Sequence, residues 1–401
     1  MKIGIVSNLY PPYVRGGAEY VVVRTVEKLI EQGEDIFVIT SCPKERALGL
    51  ECFRNASERI YYFFPKNLYY LLDDYKHYVP VRLLWHIIDG FSRYGAKNTT
   101  EVLKKENPDV VFTHNLKGIG LRIPLAIQKF GTPHIHVVHD LQLIYPSGLL
   151  FIGQEKKSIL VRPIYSAYQK VCSYLMGQPD LVIFPSEYLR KTYLEKGFFK
   201  HSRIRVMQNP APDNIRSARI YRENKALNLL FIGQLEYHKG IQFLIEAFKK
   251  LDIKANLIIA GEGTLRNYVE LEAEKNKNIT YLGYIAVEQM MECFGAADAL
   301  VVPSLCYENS PTVIYEALAA GVPVVASEIG GVGELVENGR NGFLFKPEDE
   351  TDFLRAVHDV VTSRQKFIET QDDIRKTVEP FALDKYAKDL VKHAEDVIAQ
   401  K

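Results

Sequence analysis

The chain has 401 residues, 47% apolar and 25% charged, an ordinary balance for a soluble globular protein. Fifty basic against 49 acidic residues leave a net charge of +1, which removes the case for a nucleic-acid binder or an acidic-tail protein. Five scattered cysteines (Cys42, Cys52, Cys172, Cys293, Cys306) lack metal-type spacing, so no disulfide scaffold or metal site is expected and a reducing compartment fits.

A chain of this length suggests two domains. Met1 leads straight into an apolar strand, and no apolar run is long enough to span a membrane. The expectation is a cytoplasmic protein without a signal peptide. Strand-like runs at 2–7, 35–40, 109–114, 134–139, 180–184 and 203–208 alternate with amphipathic helical stretches, the pattern of an α/β fold with parallel sheets. Between 209 and 228 the chain turns polar, with Pro210, Pro212 and a charge run at 216–225, and reads as a hinge. The alternation restarts at 228–232, 255–260, 279–282, 299–303 and 323–327, and a helix over 383–398 closes the chain. The expected domains are 1–210 and 211–381.

Five segments carry chemistry. Tyr10-Pro11-Pro12-Tyr13-Val14-Arg15-Gly16-Gly17-Ala18-Glu19 follows the first strand, and Gly16 and Gly17 let backbone approach a ligand at a helix start. His139 ends the strand Val137-Val138-His139-Asp140; it can donate to a hydroxyl and ordinarily titrates near neutrality. His114 ends the preceding strand, whereas the alternating His134 and His136 read as packing residues. Gly233-Gln234-Leu235-Glu236-Tyr237-His238-Lys239-Gly240 places a glycine turn and a lysine between a strand and a helix, a reasonable diphosphate site. Gly261-Glu262-Gly263 follows a later strand but lacks the third glycine of a dinucleotide fingerprint.

The fifth segment, 307–323, is the most informative. Ser310 reads as an N-cap, Pro311 as the first helical residue, and Gly321 with Pro323 as the stop. The helix end over Ser310–Val313, with its free N–H groups, favours phosphate. Glu308 precedes the helix end, and Glu316 inside it leans back toward the same side. Carboxylates accept hydrogen bonds from vicinal hydroxyls in pairs. One ligand could offer sugar hydroxyls to Glu308, a diphosphate to the helix end, and ribose hydroxyls to Glu316.

Two glutamates separated by seven residues, the Gly-x(5)-Lys-Gly turn, the Pro-Pro-x-x-Gly-Gly-x-Glu loop and the strand-end histidine together resemble glycosyltransferase family 4, in the same order along nearly the whole chain. The resemblance implies a GT-B fold, two Rossmann-like domains in tandem facing a central cleft, with 382–401 packing back on the first domain. It also implies a retaining transfer of sugar from a nucleoside-diphosphate donor, a UDP-sugar or a GDP-sugar, to a hydroxyl acceptor without metal or other cofactor. It assigns Glu308, His139 and Lys239 to the reacting centre. To the donor it assigns Glu316, Gly16, Gly17, Gly233, Gln234, Asn309, Ser310, Pro311, Thr312, Gly261, Gly263 and Tyr284. The family carries arginine where this chain has Gln234, which removes a charge-assisted bond of about 1.5–3 kcal/mol.

Two stretches of the first half read as insertions: 60–85, rich in tyrosine, and 146–161, with Leu149-Leu150-Phe151-Ile152 before Lys156-Lys157. Aromatic and basic surfaces suit sugars or a membrane interface, so a lipid-linked acceptor and a peripheral membrane contact are among the expectations. Asp73-Asp74 and Asp372-Asp373 read as solvated pairs rather than metal sites. A nucleotide-sugar epimerase of GT-B fold and a non-catalytic nucleotide-sugar binder are the alternative readings.

Overall fold

The computed structural model describes residues 1–47, 49–55, 58–154, 162–213 and 226–401. The charge run at 216–225 and the pair Lys156-Lys157 lie outside the described residues. The chain divides into two units. The first comprises the described residues of Met1–Leu150, Lys156–Asn209 and Leu383–Lys401, and the second those of Phe151–Glu155 and Pro210–Ala382.

In the first unit, β1 (Lys2–Val6), β2 (Asp35–Ser41), β3 (Glu51–Asn55), β4 (Glu58–Phe63), β5 (Val110–Thr113), β6 (His134–Val137), β7 (Leu181–Phe184) and β8 (Arg203–Val206) form one sheet. Its order is β3-β4-β2-β1-β5-β6-β7-β8. All pairings are parallel except β3 with β4, a hairpin that the apolar pattern of the sequence did not reveal. Apolar faces of β1, β2, β5, β6 and β7 are almost wholly buried, as a sheet covered on both sides requires. The closing helix Leu383–Ile398 belongs to this unit. Its Tyr386, Ala387, Leu390, Ala394 and Val397 recur at helical spacing and enter the core with Val22, Val26 and Leu29 of the helix Gly17–Glu31.

In the second unit, β9 (Leu227–Ile232), β10 (Ala255–Ala260), β11 (Ile279–Tyr281), β12 (Ala299–Val302), β13 (Val324–Ser327) and β14 (Gly342–Phe345) form a wholly parallel sheet. The order is β11-β10-β9-β12-β13-β14. One core layer gathers Leu230, Leu300, Ile314, Leu318 and Val324, and the other Leu229, Leu257, Leu244, Phe353 and Val357. Each such buried side chain is worth about 1.5–3 kcal/mol.

The two strand orders share one property that matters for function. From β1 the chain first builds outward through β2, then returns to β1's other side at β5. From β9 it builds through β10 and β11, then returns at β12. Each sheet therefore has a point where successive crossovers diverge, between β1 and β5 and between β9 and β12. Open α/β sheets bind ligands outside the carboxyl ends of strands at such points.

Much of the tyrosine-rich stretch is structural. Tyr61, Tyr62 and Phe63 are buried in β4, and Tyr69, Tyr70 and Trp85 pack with Leu9 and Leu71. Only Tyr75 and Tyr78 of its tyrosines are largely exposed. Among the described residues no helix is long and apolar enough to cross a membrane.

Candidate active site

In the second unit the loops leaving β9 and β12 meet at the divergence point. The β9 loop passes through a short turn, Tyr237–Lys239, then Gly240, which starts the helix Ile241–Phe248 with φ +73°. A Cβ at Gly240 would lie 1.8 Å from the Pro303 carbonyl oxygen, so only glycine lets the two loops touch. The Leu305 amide donates to the His238 carbonyl at 2.9 Å and completes the junction.

This junction sets Lys239 against Glu308, 69 residues on. The Lys239 ammonium donates to Glu308 Oε1 at 2.6 Å, and the Ser304 hydroxyl donates to the same oxygen at 2.7 Å. Burial opposes charge on Glu308, but the Lys239 charge and the two hydrogen bonds outweigh it and hold the carboxyl below the usual carboxylate range. Burial likewise opposes charge on Lys239 and is outweighed by Glu308, so the ammonium is held above its ordinary value. Both groups are ionised at neutral pH.

The backbone of Glu308 is clamped from the β13 loop. The Gly331 amide donates to the Glu308 carbonyl at 2.7 Å, and a Cβ at Gly330, where φ is +63°, would stand 2.0 Å from that oxygen. Ser304 and Gly330-Gly331 are site elements that the sequence reading missed. The Gly-Gly pair after an apolar strand was a usable signal; a lone serine after Pro303 was not.

The helix that follows runs from Thr312 to Ala319, with Pro311 as its N-cap. The expectation of Ser310 as cap is corrected. Pro311 takes extended backbone at φ −65°, ψ 118°, and the Ser310 hydroxyl instead shares a 2.8 Å hydrogen bond with the phenol of the buried Tyr315. Ile314 N–H turns back to the Pro311 carbonyl at 3.1 Å, leaving Thr312 and Val313 as first-turn amides without an intrahelical acceptor. Glu316 stands about 6 Å into this helix at 1.5 Å per residue, half-buried, with Asn309 in the loop before it.

Five more predicted positions line the same edge of the sheet. Gly233 N–H donates to the Ala260 carbonyl at 3.1 Å, and Gly261 N–H to the Gly283 carbonyl at 2.8 Å. Gly263 lies directly against the Leu235 backbone. Gln234 is half-buried beside Gly233, and Tyr284 stands largely exposed beyond β11. Phe151, placed by sequence in a first-half insertion, bridges to Cys306 and packs its ring against Tyr237 in this second unit. Leu150 is itself buried, so Leu150 and Phe151 are packed side chains rather than a free apolar surface.

In the first unit the divergence point is built differently. Asn8, after β1, donates its amide to the Asn115 carbonyl at 2.9 Å, and Gln142 Nε2 donates to Asn115 Oδ1 at 2.6 Å. His139 lies beyond β6, only 8% exposed, with Nε2 2.9 Å from Nδ1 of His114. Burial pushes the His139 pKa down to about 4 and that of His114 well below its ordinary value. His139 is therefore neutral at physiological pH, which corrects the expectation of titration near neutrality. His134 and His136 flank the Thr113 hydroxyl at 2.8 and 2.9 Å and are packing residues.

Gly16 caps the helix Gly17–Glu31 from extended backbone, and its N–H donates to the buried Glu19 carboxylate at 2.8 Å. Asp74, expected to be solvated, is buried: it accepts from the Tyr69 hydroxyl at 2.8 Å and pairs with Arg82 at 2.8 Å. Among the described residues no three His, Cys, Asp or Glu side chains converge as metal ligands.

The comparisons with known proteins agree with this architecture. Residues 15–214 match the model of Glycosyltransferase Family 4, and residues 215–379 that of Glycosyl transferases group 1. The glycogen synthase of Mycobacterium tuberculosis is 28% identical over 384 residues, covering 90% of this chain and 86% of that protein. The sucrose-phosphate synthase of Thermosynechococcus elongatus superposes with a TM-score of 0.76 at 17% identity, over 100% of each chain. Anabaena HepE in complex with UDP gives 0.72 at 17% identity, over 99% of this chain and 100% of that one. The two sheets and their strand orders thus constitute a GT-B fold, and the chain belongs to the glycosyltransferases that these two family models describe.

Proposed function

We propose that the protein transfers a sugar from a nucleoside-diphosphate sugar to an acceptor hydroxyl with retention at the anomeric carbon. The observation that carries this reading is the Lys239–Glu308 pair, ionised beside the first turn of the helix Thr312–Ala319 at the divergence point of the second sheet. UDP in the HepE structure supports a nucleotide donor for a chain of this fold.

The acceptor oxygen bonds to the anomeric carbon. The bond to the diphosphate breaks with its electron pair on the leaving oxygen, and the acceptor proton departs with the diphosphate. Lys239 and the amides of Thr312 and Val313 stabilise the developing negative charge. Glu308 accepts hydrogen bonds from the sugar hydroxyls and favours positive character at the anomeric carbon. Glu316 accepts from the ribose hydroxyls. Gly233, Gln234, Gly261, Gly263 and the chain at Tyr284 admit the nucleotide against backbone. Asn309, Ser310 and Pro311 set the approach to the helix end. In the first unit we assign His139 to the transferred sugar as a neutral hydrogen-bonding group and Gly16-Gly17 to the donor. The scheme contains no metal, and turnover is expected to be unchanged by a chelator.

A panel of UDP-, GDP- and ADP-sugars in thermal unfolding tests the reading. One nucleotide class should raise the melting temperature in wild type and much less in Lys239→Ala. Product from that donor and an acceptor should keep the donor's anomeric configuration by NMR. Conversion of the donor alone to an epimer would overturn transfer in favour of epimerisation.

Gln234 motivates a second reading, a nucleotide-sugar binder without turnover. Under the transfer reading, wild type turns over and Gln234→Arg improves donor affinity by about tenfold to a hundredfold, the equivalent of one charge-assisted bond. Binding without turnover in wild type, with turnover appearing only in Gln234→Arg, would favour the binder.

A further inference from the structure

The helix Val79–Phe91 is turned inside out. Its polar and charged side faces the protein: Asp89 is buried and accepts the Gly118 amide at 2.9 Å, and Arg82 pairs with Asp74 at 2.8 Å. Of its large apolar residues only Trp85 is fully buried, donating its indole N–H to the Tyr69 carbonyl at 2.9 Å. The apolar side faces outward, with Val79 74%, Leu83 62%, Leu84 50%, Ile87 51% and Phe91 54% exposed. An ordinary surface helix does the opposite. No charged side chain interrupts this outward face, and a contiguous apolar patch of this kind marks a docking surface.

Charge selects the occupant. Residues 66–97 hold five basic side chains, Lys66, Lys76, Arg82, Arg93 and Lys97, against three acidic ones, Asp73, Asp74 and Asp89. Asp73 and Asp74 are paired with Lys76 and Arg82, Asp89 is buried, and Lys97 pairs with Glu101 just beyond the stretch, so no exposed acid in it is left uncompensated and the surplus basic side chains are Lys66 and Arg93. An apolar face flanked by basic side chains, with Tyr75 and Tyr78 exposed at its leading end, matches the headgroup boundary of an anionic bilayer. A second copy fits less well, because a two-fold interface would set the same basic patch against itself.

We propose that the outward face of the helix Val79–Phe91 docks the first unit on an anionic lipid surface, without crossing it. This assigns the membrane contact to residues other than 146–161, and it does not depend on the transfer chemistry.

Flotation with phosphatidylcholine vesicles, with and without phosphatidylglycerol, tests it on the full chain. Wild type should bind the anionic vesicles, weaken at high salt, and lose about tenfold or more in partitioning on the double substitution Leu83→Ser, Ile87→Ser. Both side chains are exposed, so the variant should fold, and a retained thermal shift with nucleotide sugar confirms that in the same samples. That shift also separates failure of the donor reading from failure of this one. Equal partitioning of variant and wild type would overturn the proposal, as would no binding by wild type. A wild-type dimer that the double substitution dissociates, with no vesicle binding, would overturn it by assigning the face to a second copy.

Discussion

The two sheets place their loops by the same topological rule, yet the chemistry at their divergence points differs. Between β9 and β12 stands an ion pair, Lys239 with Glu308, next to the open end of a helix. Between β1 and β5, and beyond β6, stands a network of amides and neutral imidazoles: Asn8, Asn115, Gln142, His114 and His139. The first arrangement suits an anion and a developing positive charge; the second suits hydroxyl groups that never ionise. A shared architecture thus fixes where ligands bind, and the residues at the strand ends decide what sort of ligand binds there.

Three experiments probe this contrast. Glu308→Gln breaks the charged site most severely. It keeps the shape but removes the carboxylate charge, so turnover should fall about a hundredfold or more while nucleotide binding persists, because Lys239 then has only the diphosphate as counter-ion. Steady-state kinetics with the best donor measures this; a change confined to KM would show that Glu308 contributes only to ground-state binding.

Acid should next separate the two units. Burial lowers the pKa values of His86 and His139 to about 4, of His134 and His136 to about 3, and of His114 well below its ordinary value. The unfolded chain would protonate these imidazoles near pH 6.5. Their contribution is therefore present above that pH and lost as pH falls toward the folded values. Asp89 and Asp140, pushed up by burial to about 7 and about 6, act in the opposite sense and offset part of the loss. Each uncompensated proton is worth on the order of 1.4 kcal/mol per pH unit. Glu308, held below the usual range, keeps its contribution until the pH falls below about 4. Hydrogen exchange between pH 7 and 4.5 should show β5 and β6 losing protection before β9 and β12. The reverse order would contradict the assigned electrostatics.

The smallest effect is expected from Ser304→Ala. Removing one of two donors to Glu308 Oε1 should cost about 1 kcal/mol, raise the Glu308 pKa and shift the acid limb of the rate profile upward, with a few-fold loss at neutral pH. An unchanged acid limb would mean that Lys239 alone keeps Glu308 ionised.

Local pattern made much of this legible. The alternation of apolar strands and amphipathic helices follows from backbone periods that repeat within a few residues. The closing helix, with Tyr386, Leu390, Ala394 and Val397, could be read to its bounds for that reason. Turn glycines such as Gly240 and the acidic residues of 307–323 pointed to the candidate site without any knowledge of the sheet. The cap was misread because Ser310 has the right chemistry but a nearer partner in Tyr315, which local preference cannot anticipate. The β3–β4 hairpin was missed because β3 is mixed in polarity and the tyrosines of β4 read as part of an insertion, and β14 because its apolar run is only four residues long and opens on a glycine.

By itself the sequence determined the α/β alternation, the two-part chain and the types of residue offered to a ligand. Only the tertiary structure decided which of them meet. Lys239 and Glu308 lie far apart along the chain and touch because β9 and β12 are neighbours in the sheet order. It also decided which side of the helix Val79–Phe91 faces outward. A helical wheel shows an apolar face and a charged one, but only the buried partners Asp74, Gly118 and Tyr69 determine that the charged face turns inward. Periodicity is set by a few neighbouring residues, whereas contact and orientation depend on strand order and long-range packing, which no local window contains.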